Sequence, residues 1–430
     1  MRSTSQRALA ALLVPVIYLL LQVAGGTPPT PWTDTVRYAR AAEQHAGVER
    51  ADAQAAAVRY FCANTGRADG RAAELRQLPP DVAAVAAASE AACLRQYGHR
   101  PDVTTDDARY QSIFTTRWAY PWTLVPFVTT LGITDGLRLH ALLTTLGCAV
   151  LAYGLLRSAG LSRQAAMAGQ VALLASPLGW WSLQPLTEGL SLACTLAALW
   201  GALGLLSSKR RRLPYAALLS GSLLACFLLR YSTSLLLSGA LAAAGAAIAG
   251  AVHMRRPTHA ARSGALWVTT VSGSALCAGA GAVVLLGLPT SEVTLQDTFT
   301  AHFRLPLVAD PWSRLWDLNA AYWPQWWSAQ VTHPYLPALA AIACWALWHR
   351  ARALCVLCAV TALVGVAQVA AHPLQSEAER LGVLMWLPIA LGLPFMPSAW
   401  ARRGNATPAS PLPPARAALP DRAEKLPASG

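Results

Sequence analysis

The chain has 430 residues, 54% of them hydrophobic and only 13% charged. A soluble globular chain carries about 25% charged residues, so an ordinary water-soluble enzyme is excluded. The 34 Lys and Arg outweigh the 21 Asp and Glu, giving a net charge of +13. That excess falls largely in short links between apolar runs, which reads as membrane orientation rather than a nucleic-acid footprint; no nucleic-acid partner is expected.

In chain order, residues 8–24 are apolar, behind Arg2 and Arg7 and ahead of Gly25, Gly26 and Pro28. They read as a retained first helix, although a signal peptide has similar flanks. A polar segment, residues 25–117, follows, with helical stretches at 34–47 and 81–97. It holds Cys62 and Cys93, and a disulfide between them fits a non-cytosolic compartment. The other seven of the nine cysteines lie in apolar runs, where Cys behaves as a small hydrophobe. Cys355 and Cys358, a C-x-x-C, are among these, so packing is expected there rather than redox chemistry or zinc.

Residues 119–130 are apolar but short and contain Pro121 and Pro126. They read as a re-entrant or interfacial helix feeding the next span. Spanning candidates follow at 136–156, 164–181, 186–206, 213–229, 232–252, 264–288, 335–348, 353–371 and 381–400, ten with the first stretch. A second polar loop occupies 289–334, and the Pro-rich tail 401–430 reads as disordered and cytoplasmic. The expected architecture is an all-α polytopic membrane protein: a transmembrane domain, residues 1–400, that includes the outer insert 25–117. Ten spans place Arg157 and Arg163, the cluster 209–212, Arg255, Arg256 and Arg262, and Arg350 and Arg352 inside. Glu188, Glu292, Asp297, Asp310, Asp317, Glu377 and Glu379 then lie outside. Lys and Arg in short loops favour the cytoplasm, so a multi-pass plasma-membrane protein with both termini cytoplasmic is expected among membrane lipids. An eleven-span topology puts the cluster 209–212 outside.

The sixteen Trp residues gather near boundaries, as an interfacial aromatic belt requires. Trp312, Trp316, Trp323, Trp326 and Trp327 crowd one outer loop, which lies on the membrane surface or lines a sugar-binding groove. There is no P-loop, no dinucleotide fingerprint, no H-E-x-x-H, no G-x-S-x-G elbow and no His pair at metal-ligand spacing. What remains is a set of polar residues on the outer face: Asp34 after the first span, Arg117 before residues 119–130, Glu188 opening a span, Arg230 in a tight outer link, and Arg380 opening the last span. Each has an ordinary alternative. Asp34 and Glu188 are placed to cap helices, Arg117 and Arg380 to snorkel, and Arg230 to serve as a link residue alone. A phosphate leaving group, however, needs positive charge where its negative charge develops, and Arg supplies bidentate, permanently protonated donors. An acceptor hydroxyl needs a carboxylate to take its proton, which contributes about 10²–10⁴-fold.

Five short motifs stand in order: Asp34-Thr-Val-Arg-Tyr38-Ala, Arg117-Trp-Ala-Tyr120-Pro121, Leu186-Thr-Glu188, Leu229-Arg230-Tyr231, and Glu379-Arg380 preceded by His372-Pro373. Together they resemble the GT-C superfamily of polytopic, mannosyltransferase-like glycosyltransferases. The resemblance implies inverting transfer of a sugar from a polyprenyl-phosphate donor to a hydroxyl on a glycan, lipid or protein acceptor, at the outer membrane face. It makes Asp34 the general base and Glu188 a second catalytic carboxylate. Tyr38, Arg117, Tyr120, Arg230 and Arg380 become substrate-binding residues. The family often has two adjacent acids at the first position, whereas here Thr35 follows Asp34. No metal site is assigned and any divalent-metal requirement stays open, the lipid-linked donor being the only cosubstrate implied. The rival class is a secondary transporter or lipid flippase, for which internal repeats and mid-span polar residues are the expected marks.

Overall fold

The computed structural model describes residues 4–25, 30, 32–76, 81–208, 210–254, 259–397 and 399. Every regular element among them is helical. The tail 401–430 and the basic positions Lys209, Arg255 and Arg256 lie outside the described residues.

Helix α1 (Thr4–Gly25) is the expected first apolar helix. The polar insert folds as α2 (Thr33–His45), α3 (Arg50–Leu75), α4 (Val82–Tyr97) and α5 (Ala108–Thr115). Asp81 caps α4 by accepting from the Ala84 amide at 3.0 Å. The sequence gives little sign of α3, because Gly66 and Gly70 each cost a helix about 1 kcal/mol against Ala. Packing explains Gly66: a Cβ there would sit 2.5 Å from the Ala86 carbonyl oxygen, so the glycine lets α3 and α4 lie against each other. The Cys62–Cys93 disulfide ties the same two helices, with Cα atoms 5.3 Å apart.

The apolar body follows as α6 (Ala119–Ser158), α7 (Arg163–Leu174), α8 (Pro177–Ser182), α9 (Thr187–Ser207), α10 (Arg212–Met254) and α11 (His259–Leu285). After the loop helices α12 (Ser291–Phe299) and α13 (Pro311–Thr332) come α14 (Tyr335–Arg350), α15 (Arg352–Ala371) and α16 (Gln375–Leu381). The 3₁₀ turn Gly382–Trp386, α17 (Leu387–Gly392) and a 3₁₀ turn, Leu393–Phe395, are the last elements among the described residues. Among the described residues, six helical stretches are long and apolar enough to cross a membrane: Ala119–Ser158, Thr187–Ser207, Arg212–Ala251, Arg262–Leu285, Arg352–Ala371 and Gln375–Phe395. This is the composition of an all-helical polytopic membrane protein. Ten was the sequence expectation. Helix α14, of 16 residues, and the pair α7 and α8, broken at Ser176 before Pro177, fall short on length. The apolar part of α1, Leu9–Gly25, is likewise too short.

Two of the six stretches double back. In α10 the backbone leaves helical geometry at Arg230 (φ −162°, ψ 85°). The Ser234 hydroxyl donates to the Leu223 carbonyl at 2.7 Å across eleven residues, which would rise about 16 Å in a straight helix. The sequence expectation of two spans joined at Arg230 and Tyr231 describes this reversal. In α6 the break is Gly132 (φ 74°, ψ 171°), a conformation only glycine adopts readily. Thr123 Oγ1 and His140 Nε2 then meet at 3.1 Å, so residues 119–130 are the first leg of a hairpin, as a re-entrant segment requires.

Helix α9 is central. Leu196 and Leu199 are fully buried, together with Leu155 and Leu156 of α6 and Leu173 of α7. Helix α1 docks on this body through Gln170, whose Nε2 donates to the Ala11 and Ala149 carbonyls at 2.9 and 3.1 Å. Cys355 and Cys358 are free thiols packed in the core.

Candidate functional site

The insert, three apolar helices and α16 bring their charged residues to one place. Helix α2 begins after Trp32, whose side chain does not cap it. Asp34 sits in the first helical turn, but its carboxylate does not serve as a cap. Its Oδ2 accepts from Arg380 Nη1 at 3.0 Å and lies 3.8 Å from Arg117 Nη1, and its Oδ1 is 3.6 Å from Arg37 Nη1. Thr35, beside it, donates to the Pro185 carbonyl at 3.2 Å, pinning the start of α2 against the entry to α9. Burial pushes the Asp34 carboxyl up, yet Arg380, Arg117 and Arg37 together outweigh burial and hold it below the usual carboxylate range. At neutral pH it is ionised.

Glu188 is likewise in a first helical turn, that of α9, and its carboxylate also turns to arginine. Its Oε1 accepts from Arg230 Nη1 at 3.1 Å and lies 3.6 Å from Arg380 Nε. Arg230 stands at the break in the α10 backbone. Arg380 stands between the two carboxylates, and its Nη2 also meets Glu377 Oε2 at 2.5 Å. Arg117, just before α6, donates to the Tyr38 hydroxyl at 2.6 Å and lies over the Phe114 ring. Burial raises the Tyr38 phenol above its ordinary value despite the opposing charge of Arg117, so Tyr38 stays protonated.

The structure thus brings together Asp34, Glu188, Tyr38, Arg117, Arg230 and Arg380 from the sequence reading. It places Tyr120 differently. That ring packs edge-on behind Tyr38, centroids 4.8 Å apart, and its hydroxyl is buried without a hydrogen-bond partner. Tyr120 is packing support for Tyr38, with no open face for a substrate.

Sequence reasoning missed three members. Arg37 is i+3 from Asp34 on α2; its Nη2 binds Asp102 at 2.6 Å, and its guanidinium lies over the Tyr110 and Phe114 rings. Asp102 also accepts from the Thr104 amide at 2.7 Å and from Gln111 at 3.1 Å. It belongs to the insert, so the insert clamps α2 in place. Glu377 is i−3 from Arg380. For Arg37 and Glu377 helical spacing from a recognised residue was the available signal; Asp102, in the loop between α4 and α5, carried none.

Burial separates two classes of arginine. The Arg37 side chain is 2% exposed, whereas Arg117, Arg230 and Arg380 keep 14–15%. Arg37 is therefore sealed between Asp102 and Asp34, and the other three stay partly accessible. Arg40 Nη1 also lies 3.8 Å from Asp102 Oδ2, so five guanidiniums meet four carboxylates and the network carries one positive charge in excess. It is not saturated: Arg380 Nε and Arg37 Nε are buried without a hydrogen-bond acceptor. Buried donors without acceptors are costly, about 1–3 kcal/mol each or more when charged. Among the described residues no group of three or more His, Cys, Asp or Glu side chains is placed to hold a metal ion. Comparison with known protein families, with curated proteins and with solved structures finds no match to this chain.

Proposed function

We propose that this protein is a membrane glycosyltransferase of GT-C type, moving a sugar from a polyprenyl-phosphate donor to an acceptor hydroxyl at the outer face of the plasma membrane. Ten spans with both termini cytoplasmic is the topology that goes with it. One observation carries the reading: Arg117, Arg230 and Arg380, from three separated parts of the chain, converge while partly accessible on Asp34 and Glu188.

In this cluster, an arriving phosphate oxyanion competes with the carboxylates for the same guanidinium donors. Arg230 and Arg380 take the phosphate, with Arg117, held by the Tyr38 hydroxyl, at its side. Charge-assisted pairs of this kind are roughly twice as strong as neutral hydrogen bonds. Once its guanidiniums are shared, the Asp34 carboxyl rises from its lowered value and becomes a competent base. The acceptor oxygen then attacks the anomeric carbon and its proton passes to Asp34. The bond from that carbon to the phosphate oxygen breaks, its electron pair goes to the phosphate, and configuration inverts. Glu188 holds Arg230 and Arg380 in position throughout.

The test is purified protein in nanodiscs, given a panel of polyprenyl-phosphate sugars and scored for released polyprenyl phosphate. At least one donor is consumed, and Arg380→Ala abolishes consumption. Movement of intact donor across a bilayer with no cleavage of the sugar–phosphate bond would instead identify a lipid flippase and contradict the reading.

A further inference from the structure

Helix α16 has two polar faces, and only one belongs to the ionic cluster. Glu377 and Arg380, three apart, form the cluster face. Gln375, Ala378, Glu379 and Gly382 recur at i, i+3, i+4 and i+7, so they form a second stripe along the same side of the turn. That stripe is one wall of a groove of about 630 Å³, whose other walls are α8 with Trp180 and Trp181, α13 with Gln325 and Trp326, and the 3₁₀ turn with Trp386. Its size falls in the roughly 300–1,000 Å³ range of small-molecule sites. Trp181 also packs against Trp32, ring centroids 5.2 Å apart, and Trp32 immediately precedes the α2 turn that carries Asp34. The groove and the ionic cluster therefore share α16 and the Trp32–Trp181 contact as common walls.

The lining is chemically mixed in a particular way. Trp180, Trp326 and Trp386 offer broad aromatic surface, while Gln325, Gln375 and Glu379 offer amide and carboxylate groups engaged in no hydrogen bond or ion pair among the described residues. Gln325, Gln375 and Glu379 are exposed, so an acyl or prenyl chain seated there would strip them of water without replacing its hydrogen bonds. A pyranose suits both. Its axial C–H groups pack on the electron-rich face of an indole, and its equatorial hydroxyls donate to a carboxylate and exchange hydrogen bonds with amides.

We infer that this groove is a carbohydrate subsite that receives the acceptor as a glycan, Trp326 and Trp386 supplying the stacking surface and Glu379 and Gln375 the hydrogen bonds. The acceptor role rests on the transferase reading above. The two-sided α16 then presents the acceptor on one face and the donor phosphate on the other.

Saturation-transfer NMR on the full chain in nanodiscs tests the subsite directly. The probes are the methyl pyranosides of glucose, mannose, galactose, rhamnose and N-acetylglucosamine, with their disaccharides. At least one is expected to show saturation concentrated on ring C–H protons. Trp326→Ala and Glu379→Ala weaken its binding at least tenfold. Trp316→Ala, on the same helix, 76% exposed and outside the groove, leaves binding unchanged. Arg380→Ala keeps the glycan signal while losing donor cleavage, so failure of the subsite and failure of the transferase reading are told apart. Saturation by none of the probes, binding unaffected by Trp326→Ala and Glu379→Ala, or a copurifying lipid lost from the groove only in Trp326→Ala would overturn the inference.

Discussion

At the scale of single residues, burial sorts charged groups that look equivalent in sequence. Arg37 and Arg380 both touch Asp34, but Arg37 is sealed against Asp102 and two aromatic rings, whereas Arg380 is shared among three carboxylates and stays partly accessible. Removing one partner of a buried pair leaves the other charge uncompensated, typically at 3–5 kcal/mol. Arg37→Ala is therefore expected to lower stability by about 3–5 kcal/mol, read as an early thermal transition in detergent. Arg380→Ala, at a more open position, is expected to lose activity with a smaller loss of stability. Equal destabilisation by the two variants would show that the cluster is structural throughout. The sequence named Asp34, Glu188, Arg117, Arg230 and Arg380 because their residue types and flanking motifs are visible in one dimension. It left open whether the carboxylates cap helices, which depends on where arginines remote in sequence arrive. Tyr120 shows the limit of motif reading: it stands beside Arg117 in the same short motif, yet its ring faces the core.

At the scale of elements, the site depends on where helices break. Gly132 and Arg230 reverse the chain within apolar stretches that hydropathy alone reads as continuous. Prolines do not mark either break. The α10 reversal was legible because Arg230 and Tyr231 interrupt its apolar run; the α6 reversal was legible because residues 119–130 are too short to span. Helix α3 was not legible, since its glycines answer to α4 and not to helix propensity. An L-residue at the positive φ of position 132 is strained by about 1–2 kcal/mol. Gly132→Ala is accordingly expected to destabilise the α6 hairpin by about that amount and to reduce transfer, because Arg117 and Tyr120 sit at the base of its first leg. An unchanged melting temperature would show that the backbone at this position relaxes freely.

For the molecule as a whole, the long insert packs over the site. Asp102 holds Arg37, and the Cys62–Cys93 disulfide holds α3 to α4. All-helical architecture and membrane residence were legible from composition and periodicity. The number of crossings was less so, because it turns on short and folded helices whose lengths straddle the roughly 20 residues a bilayer requires. Single cysteines introduced beside Asp297 and beside Arg210 in an otherwise cysteine-silent background decide the topology. An impermeant maleimide is expected to label the first from outside and not the second. Labelling of Arg210's neighbour alone would invert the orientation.

The proposed chemistry rests on competition between a donor phosphate and Asp34 for the same guanidiniums, with Asp34 then taking the acceptor's proton. Single-turnover transfer and donor affinity measured side by side for the wild-type chain and Asp34→Asn test this most directly. With the competing carboxylate neutralised, the variant is expected to bind polyprenyl-phosphate sugar at least as tightly as wild type while transferring it about 10²–10⁴-fold more slowly. Transfer by Asp34→Asn at the wild-type rate would contradict the account.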